Sequence, residues 1–229
     1  MTEHTGRLQR RVSRLWPLVS AGSALLLVAA LALVIVYREQ DKPFGFEVEW
    51  MGELVEHRSA FWTVPALVFN SLGGGIIAVF VIPLSILGGL LLWRRPWAAL
   101  YYGIAVALCP LIVQLLKRSV GRPRPTDILV TADFGSFPSG HSANAALTAA
   151  VLGIVFLRGW VWAVGAIYTV AMMLSRTYLG AHWISDTVGG MLIGAGVAVM
   201  IWAPLAAKLY SERHAPHPPP WRRPARPLG

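Results

Sequence analysis

Cysteine and acidic charge are what this 229-residue chain has least of. Its single cysteine, Cys109, lies inside an apolar run, which excludes a disulfide framework and a thiolate metal site. Charged residues make up only 14% of the chain, and 11 acids stand against 20 Lys and Arg. The amphipathic spacing of a soluble domain is missing too, because the apolar residues arrive in blocks. With 55% hydrophobic residues and a mean hydropathy of +0.57, the composition places the chain in the membrane class.

A bilayer core about 30 Å thick needs roughly 20 apolar helical residues to cross it. Six runs of that order occur, near residues 17–37, 72–93, 97–116, 140–157, 160–175 and 187–205. The expected fold is therefore all-α: a polytopic membrane protein with six transmembrane helices in a bundle. Arg7, Arg10, Arg11 and Arg14 give the first run the look of a signal peptide. It is long for one, however, and ends in Tyr37-Arg38-Glu39 with no small-residue cleavage site, so it reads as an uncleaved helix.

Charge placement sets the expected orientation. With a cytoplasmic amino terminus, twelve of the twenty basic residues fall on inner segments and nine of the eleven acids on outer ones. The Lys/Arg bias places both termini in the cytoplasm of a multi-pass cell-membrane protein. It also accounts for the net charge of +9 and the pI near 10.4 without a nucleic-acid partner.

Three regions result: a basic cytoplasmic amino terminus over 1–15, a membrane domain over 16–205, and a disordered cytoplasmic Pro- and Arg-rich tail over 206–229. In the first outer connection, Met51, Leu54, Val55, Phe61 and Trp62 share one helical face, which suggests a short interfacial helix. Gly73-Gly74-Gly75, Gly88-Gly89, Gly190 and Gly194 read as small residues that let membrane helices approach closely.

This topology brings three polar stretches to the outer face: KRSVGRPRP from Lys117, PSGH from Pro138, and SRTYLGAHWISD from Ser175. Ionisable groups at membrane depth are costly, so such clusters are functional candidates. Lys117, Arg124 and Arg176 supply cations, and the two arginines can grip phosphate oxygens through paired donors. Ser139, Gly140 and His141 open a helix, where free N–H groups favour an anion. His182 and Asp186 are four apart on one helical face, a spacing that lets the carboxylate orient the imidazole. Taken singly these have ordinary readings as headgroup contacts, an N-cap and a surface pair. Together they describe a phosphate site with a nucleophile and an acid.

These residues make the chain resemble the type 2 phosphatidic acid phosphatase superfamily, which shares a core with vanadium haloperoxidases. The family signature is Lys, six residues, Arg-Pro; Pro-Ser-Gly-His; and Ser-Arg, five residues, His, three residues, Asp. Lys117 with Arg124-Pro125, Pro138 to His141, and Ser175-Arg176 with His182 and Asp186 match it in order and spacing. The resemblance covers residues from about 60 to 205. It implies that His182 attacks phosphorus to form a phosphohistidine, that Asp186 orients it, and that His141 protonates the leaving oxygen. Lys117, Arg124, Arg176, Ser139 and the Gly140 amide would bind phosphate. No cofactor or metal is expected, the cations taking the part of Mg²⁺.

A site between helices at the outer face favours a lipid phosphate over a soluble ester. Polyprenyl diphosphate is the preferred candidate, on the argument that Arg118 and Arg122 add cations for a second phosphate. Phosphatidic acid and phosphatidylglycerol phosphate remain open, as does discharge of the phosphohistidine to a lipid acceptor. A non-catalytic transporter or scaffold would have no reason to keep both histidines with Asp186. Oligomeric state is not legible.

Overall fold

The computed structural model describes residues 2–37 and 43–215, with side chains at residue 19 and from residue 21 onward. All its elements are helical: α1 (Thr2–Tyr37), α2 (Gly45–Glu56), α3 (Ala60–Gly73), a π-helical turn (Ile77–Val81), α4 (Ile82–Leu92), α5 (Pro96–Val120), α6 (Gly140–Phe156), α7 (Gly159–Tyr178) and α8 (Ile184–His214).

Two helices, Pro96–Val120 and Ile184–His214, are long and apolar enough to cross a membrane. The pair Ala60–Gly73 and Ile77–Leu92 is long and apolar enough only when taken together, and it is bent by 49° at the break, the geometry of a broken span or a re-entrant loop. Ala21–Tyr37 and Gly140–Phe156 are apolar but shorter, and α7 has its apolar character diluted by Trp160, Trp162, Gly165 and Thr169. The six runs therefore fall on helices, but the second is broken. Its first half also begins at Ala60, inside what the sequence suggests is an outer connection.

The structure turns its apolar residues outward as well as inward. Leu26, Phe80, Leu84, Leu92, Leu111, Trp160 and Ile167 are all exposed, which water would penalise and lipid tails would not. Inside, α6 and α8 are held face to face. A side chain on Gly190 or Gly194 would collide with the backbone oxygens of Ser139 or Ala143, so the small-residue reading of these two is borne out. Gly196 faces α1 at Ala21 and Ala24, where an added methyl would make only ordinary contacts. Tyr101 of α5 is fully buried and donates to Ala198 O at 2.8 Å, tying α5 to α8.

The start of α6 and α8 and the end of α5 and α7 meet at one end of the bundle. Gly121 terminates α5 at φ 63° and Gly180 follows α7 at φ 66°, left-handed positions that suit glycine. The opposite end carries Arg94, Arg95, Arg158, Lys208 and Arg213. Arg213 donates to Ile154 O at 2.7 Å, and Glu212 caps α5 by accepting from Trp97 N at 2.7 Å and Ala98 N at 3.1 Å. Residues 206–214, the start of the expected tail, belong to α8, which runs to His214; residues 216–229 lie outside the described residues.

The interfacial helix of the first outer connection corresponds to α2. It is not simply laid on a surface, since Glu47 on its first turn is fully buried. Phe61 and Trp62 belong to α3 instead.

Candidate active site

At the end where α5, α6, α7 and α8 meet lies a cavity of about 440 Å³. Its polar wall is formed by Lys117, Arg124, Asp133, Gly140, His141, Arg176 and His182. The three stretches read from the sequence thus converge, as the candidate site requires. Lys117 ends α5, Arg124 stands on the following loop, His141 opens α6, Arg176 closes α7, and His182 sits in the turn before α8.

His182 is buried, with its Nε2 toward the cavity, where Arg124 Nη1 is 3.4 Å away. Its Nδ1 faces Asp186 Oδ2 at 3.6 Å, longer than a hydrogen bond, with the Ser136 backbone beside it. Burial, followed by the charges of Arg124, Arg176 and Lys117, holds the imidazole pKa well below its ordinary value. A neutral ring with a free lone pair is what a nucleophile needs.

Asp186 does not line the cavity. Its Oδ2 accepts from Trp183 N at 2.8 Å, closing the first turn of α8, and its Oδ1 accepts from Arg122 at 2.6 Å. The spacing of four between His182 and Asp186 works here across a helix start, with His182 just outside α8.

His141 is held on the other side. Its Nε2 is 3.2 Å from Asn70 O, and Asn70 Oδ1 accepts from Arg176 Nη1 at 2.6 Å. Asn70, on α3, therefore contacts both a histidine and an arginine of the candidate site. Gly73 and Gly74 lie against the His141 ring, where a side chain would strike Cδ2 or Nε2, and Gly75 turns the chain at φ 60°. Gly73 and Gly74 admit the imidazole, Gly75 bends the chain, and Gly73 also lets α3 pack against Met172 of α7, in keeping with the close-approach reading. Among the described residues, Gly88 and Gly89 have no neighbour close enough to require them.

Two expected roles change. The Ser139 hydroxyl is fully buried and caps α6, accepting from Ser142 N at 3.4 Å and Ser142 Oγ at 3.1 Å. It is off the cavity wall, which leaves Gly140 and His141 to face a ligand. Arg122, offered above as a cation for a second phosphate, points away from the cavity. Its guanidinium is fully buried between Asp186 and Glu47. Arg118 is exposed and off the wall as well.

Asp133 is the residue that the sequence reading counted only as an outer acid. Its Oδ1 lies 2.9 Å from Lys117 Nζ and 2.7 Å from Arg124 Nη2, so one carboxylate bridges two cations of the cavity wall. Burial would raise its pKa, but the Lys117 hydrogen bond and charge, with Gln114 and Arg124, hold it below the ordinary value. Burial in turn lowers Arg124, partly offset by Asp133 and Asp186. Among the described residues, no group of three or more His, Cys, Asp or Glu is placed to hold a metal ion.

A family model described as the PAP2 superfamily matches residues 98–210. Decaprenylphosphoryl-5-phosphoribose phosphatase of Mycobacterium tuberculosis is 32% identical over 123 residues, 52% of this chain and 67% of that protein. The chain belongs to the PAP2 superfamily, the type 2 phosphatidic acid phosphatases. Phosphatidylglycerophosphatase B of Bacillus subtilis is 30% identical over 127 residues, 50% of this chain and 63% of that one. The crystal structure of a transmembrane PAP2 type phosphatidylglycerolphosphate phosphatase from Bacillus subtilis shares the fold. It superposes with a TM-score of 0.70 at 24% identity, covering 86% of this chain and 98% of that one. This PAP2 chain spans from 34% to 67% of the length of curated relatives it matches.

Proposed function

We propose that this chain is a membrane lipid phosphate phosphatase that removes the terminal phosphate of a lipid headgroup through a phosphohistidine. The observation that carries the reading is the shape of the cavity. Its cationic end continues into an apolar floor of Ala78, Val79, Pro83, Val106, Cys109 and Pro110, between the π-turn with α4 and α5. A headgroup phosphate at one end with a hydrocarbon chain along the other matches that polarity, whereas a soluble ester would leave the floor unused.

In the reaction, His182 Nε2 attacks phosphorus while Lys117, Arg124, Arg176 and the Gly140 amide take the phosphoryl charge. The bond to the lipid oxygen breaks, and that oxygen takes a proton from His141. Water then attacks the phosphohistidine, giving a proton to His141 and releasing phosphate and neutral His182. Asp186 orients the ring and balances the positive charge it carries as an intermediate.

With Arg122 and Arg118 turned elsewhere, the case for a second phosphate loses its support, and a lipid carrying one phosphate monoester becomes the preferred substrate. The site end is assigned to the outer face, because the opposite end gathers Arg94, Arg95, Arg158, Lys208 and Arg213. Both termini are then cytoplasmic.

The test is phosphate release by the purified full chain in detergent, from phosphatidic acid, phosphatidylglycerol phosphate and a polyprenyl diphosphate, with and without chelator. Release from monophosphates without added metal is expected. A tenfold preference for the diphosphate would restore the earlier substrate, and activity restored only by a divalent ion would refute the metal-free mechanism. Turnover that requires a lipid acceptor would make the protein a phosphotransferase.

A further inference from the structure

Behind His182, away from the cavity, three fully buried charged groups from distant parts of the chain are joined. Arg122 Nη1 donates to Asp186 Oδ1 at 2.6 Å and to Ser185 Oγ at 2.7 Å, and its Nη2 donates to Glu47 Oε2 at 2.7 Å. Glu47 Oε1 accepts from Ser185 N at 2.9 Å and Ser185 Oγ at 2.6 Å, and its Oε2 also accepts from Phe44 N at 3.0 Å. The guanidinium lies 5.9 Å from both the Phe44 and the Trp183 ring centroids. Asp186, Glu47 and the Arg122 side chain are each 0% exposed.

The count of charges is the informative feature. An Arg122–Asp186 pair alone would be neutral and would leave Asp186 little field to offer His182. A second carboxylate on the same guanidinium makes the group net negative, one cation between two anions. Uncompensated buried charge is costly, so such a cluster calls for a positive partner. Lys117 and Arg124 interact with Asp186 from the cavity side at rest, and a nearer positive partner arises during reaction: once Nε2 is bonded to phosphorus, the His182 ring is cationic and its Nδ1–H points at Asp186.

We propose that Glu47 is a positioning residue for the reaction, acting through Arg122 to keep Asp186 effectively anionic beside His182 as the phosphohistidine forms. Glu47 lies on α2, outside the three signature stretches, and touches neither the cavity nor His182. The groups that do face His182 are Lys117 from α5, Arg124 from the following loop, His141 from α6, Arg176 from α7 and Asp186 from α8. All but Asp186 and the other histidine are cations, so a negative group behind the ring has much to oppose. The proposal rests on the reading of His182 as nucleophile.

Orthovanadate and orthophosphate separate a charge role from a structural one. Vanadate bonds covalently to a histidine nitrogen and places positive charge on the ring; orthophosphate occupies the same cations without that bond. Direct binding of each to the detergent-purified full chain is measured for wild type, Glu47→Gln, Arg122→Gln and the double variant. Glu47→Gln keeps the side chain's shape, and vanadate binding is expected to weaken tenfold or more while orthophosphate binding changes less than twofold. In the Arg122→Gln background the Glu47→Gln loss should disappear, because the group through which Glu47 acts is gone. Equal weakening for the two anions, or an additive double variant, overturns the proposal. If Arg122→Gln does not fold, the vanadate-to-phosphate split in Glu47→Gln alone decides. Wild type that binds orthophosphate but not vanadate refutes the nucleophile assignment, and the proposal falls with it.

Discussion

Replacing Asp133 with asparagine should tighten the binding of inorganic phosphate. The carboxylate occupies the two cations that the proposed site would offer a substrate anion, 2.9 Å from Lys117 Nζ and 2.7 Å from Arg124 Nη2. Lys117 and Arg124 are mostly buried, but Asp133 is 53% exposed, so each pair belongs on the exposed scale of about 0.5–1 kcal/mol. Two pairs that a bound phosphate must loosen then amount to roughly 1–2 kcal/mol, or a factor of about 5–30 in affinity. Asparagine still offers an oxygen to one cation, and the Gly135 carbonyl still accepts from Lys117 at 3.0 Å and Arg124 at 2.8 Å, so the loop keeps its hold. The assay is competitive inhibition by orthophosphate at low ionic strength against a lipid phosphate substrate. A Ki that falls by that factor, with an unchanged melting temperature, supports the account. An unchanged or higher Ki would mean that Asp133 and phosphate do not compete for the two cations.

Three further outcomes follow from the packing and the charges. Gly194→Ala places a methyl against the Ala143 backbone oxygen, which cannot swing aside, and should cost about 1–3 kcal/mol, read as a lower melting temperature in detergent. Gly74→Ala instead strikes the His141 ring; kcat should fall at least tenfold with KM nearly unchanged, and normal kcat would show that the ring has room to move. Because His182 is held neutral in the fold, protons bind the unfolded chain more than the native one below about pH 6.5. Its contribution to stability is therefore present above that pH and lost as pH falls, by up to about 1.4 kcal/mol per unit, and His182→Gln should flatten that slope.

The candidate site was largely legible because its residues come in short runs with fixed spacing. Lys117, Arg124, His141, Arg176 and His182 reach one cavity because helix ends carry them to the same end of the bundle. What the sequence could not show is contact between runs. Glu47 looks like any acid on an outer amphipathic segment, yet it is buried against Ser185 and Arg122. Asn70 is one polar residue near the end of an apolar stretch, and only the bend after Gly73 turns its carbonyl to His141. Arg122 and Arg124 are two apart in one basic run, but the loop sends one behind His182 and the other in front of it. Ser139 kept the ordinary part of a helix cap. The broken second span was signalled by three consecutive glycines and read as packing, because helix bending and close approach call for the same residue.

The central claim is that His182 carries the phosphoryl group. Rapid quench into alkaline denaturant of the full chain turning over a lipid phosphate labelled with ³²P in its terminal phosphate tests it most directly. Label that is stable to base, labile to acid, mapped to His182 and absent from His182→Ala is the predicted result. Label surviving in that variant, or turnover with no covalent label at any quench time, would contradict the account.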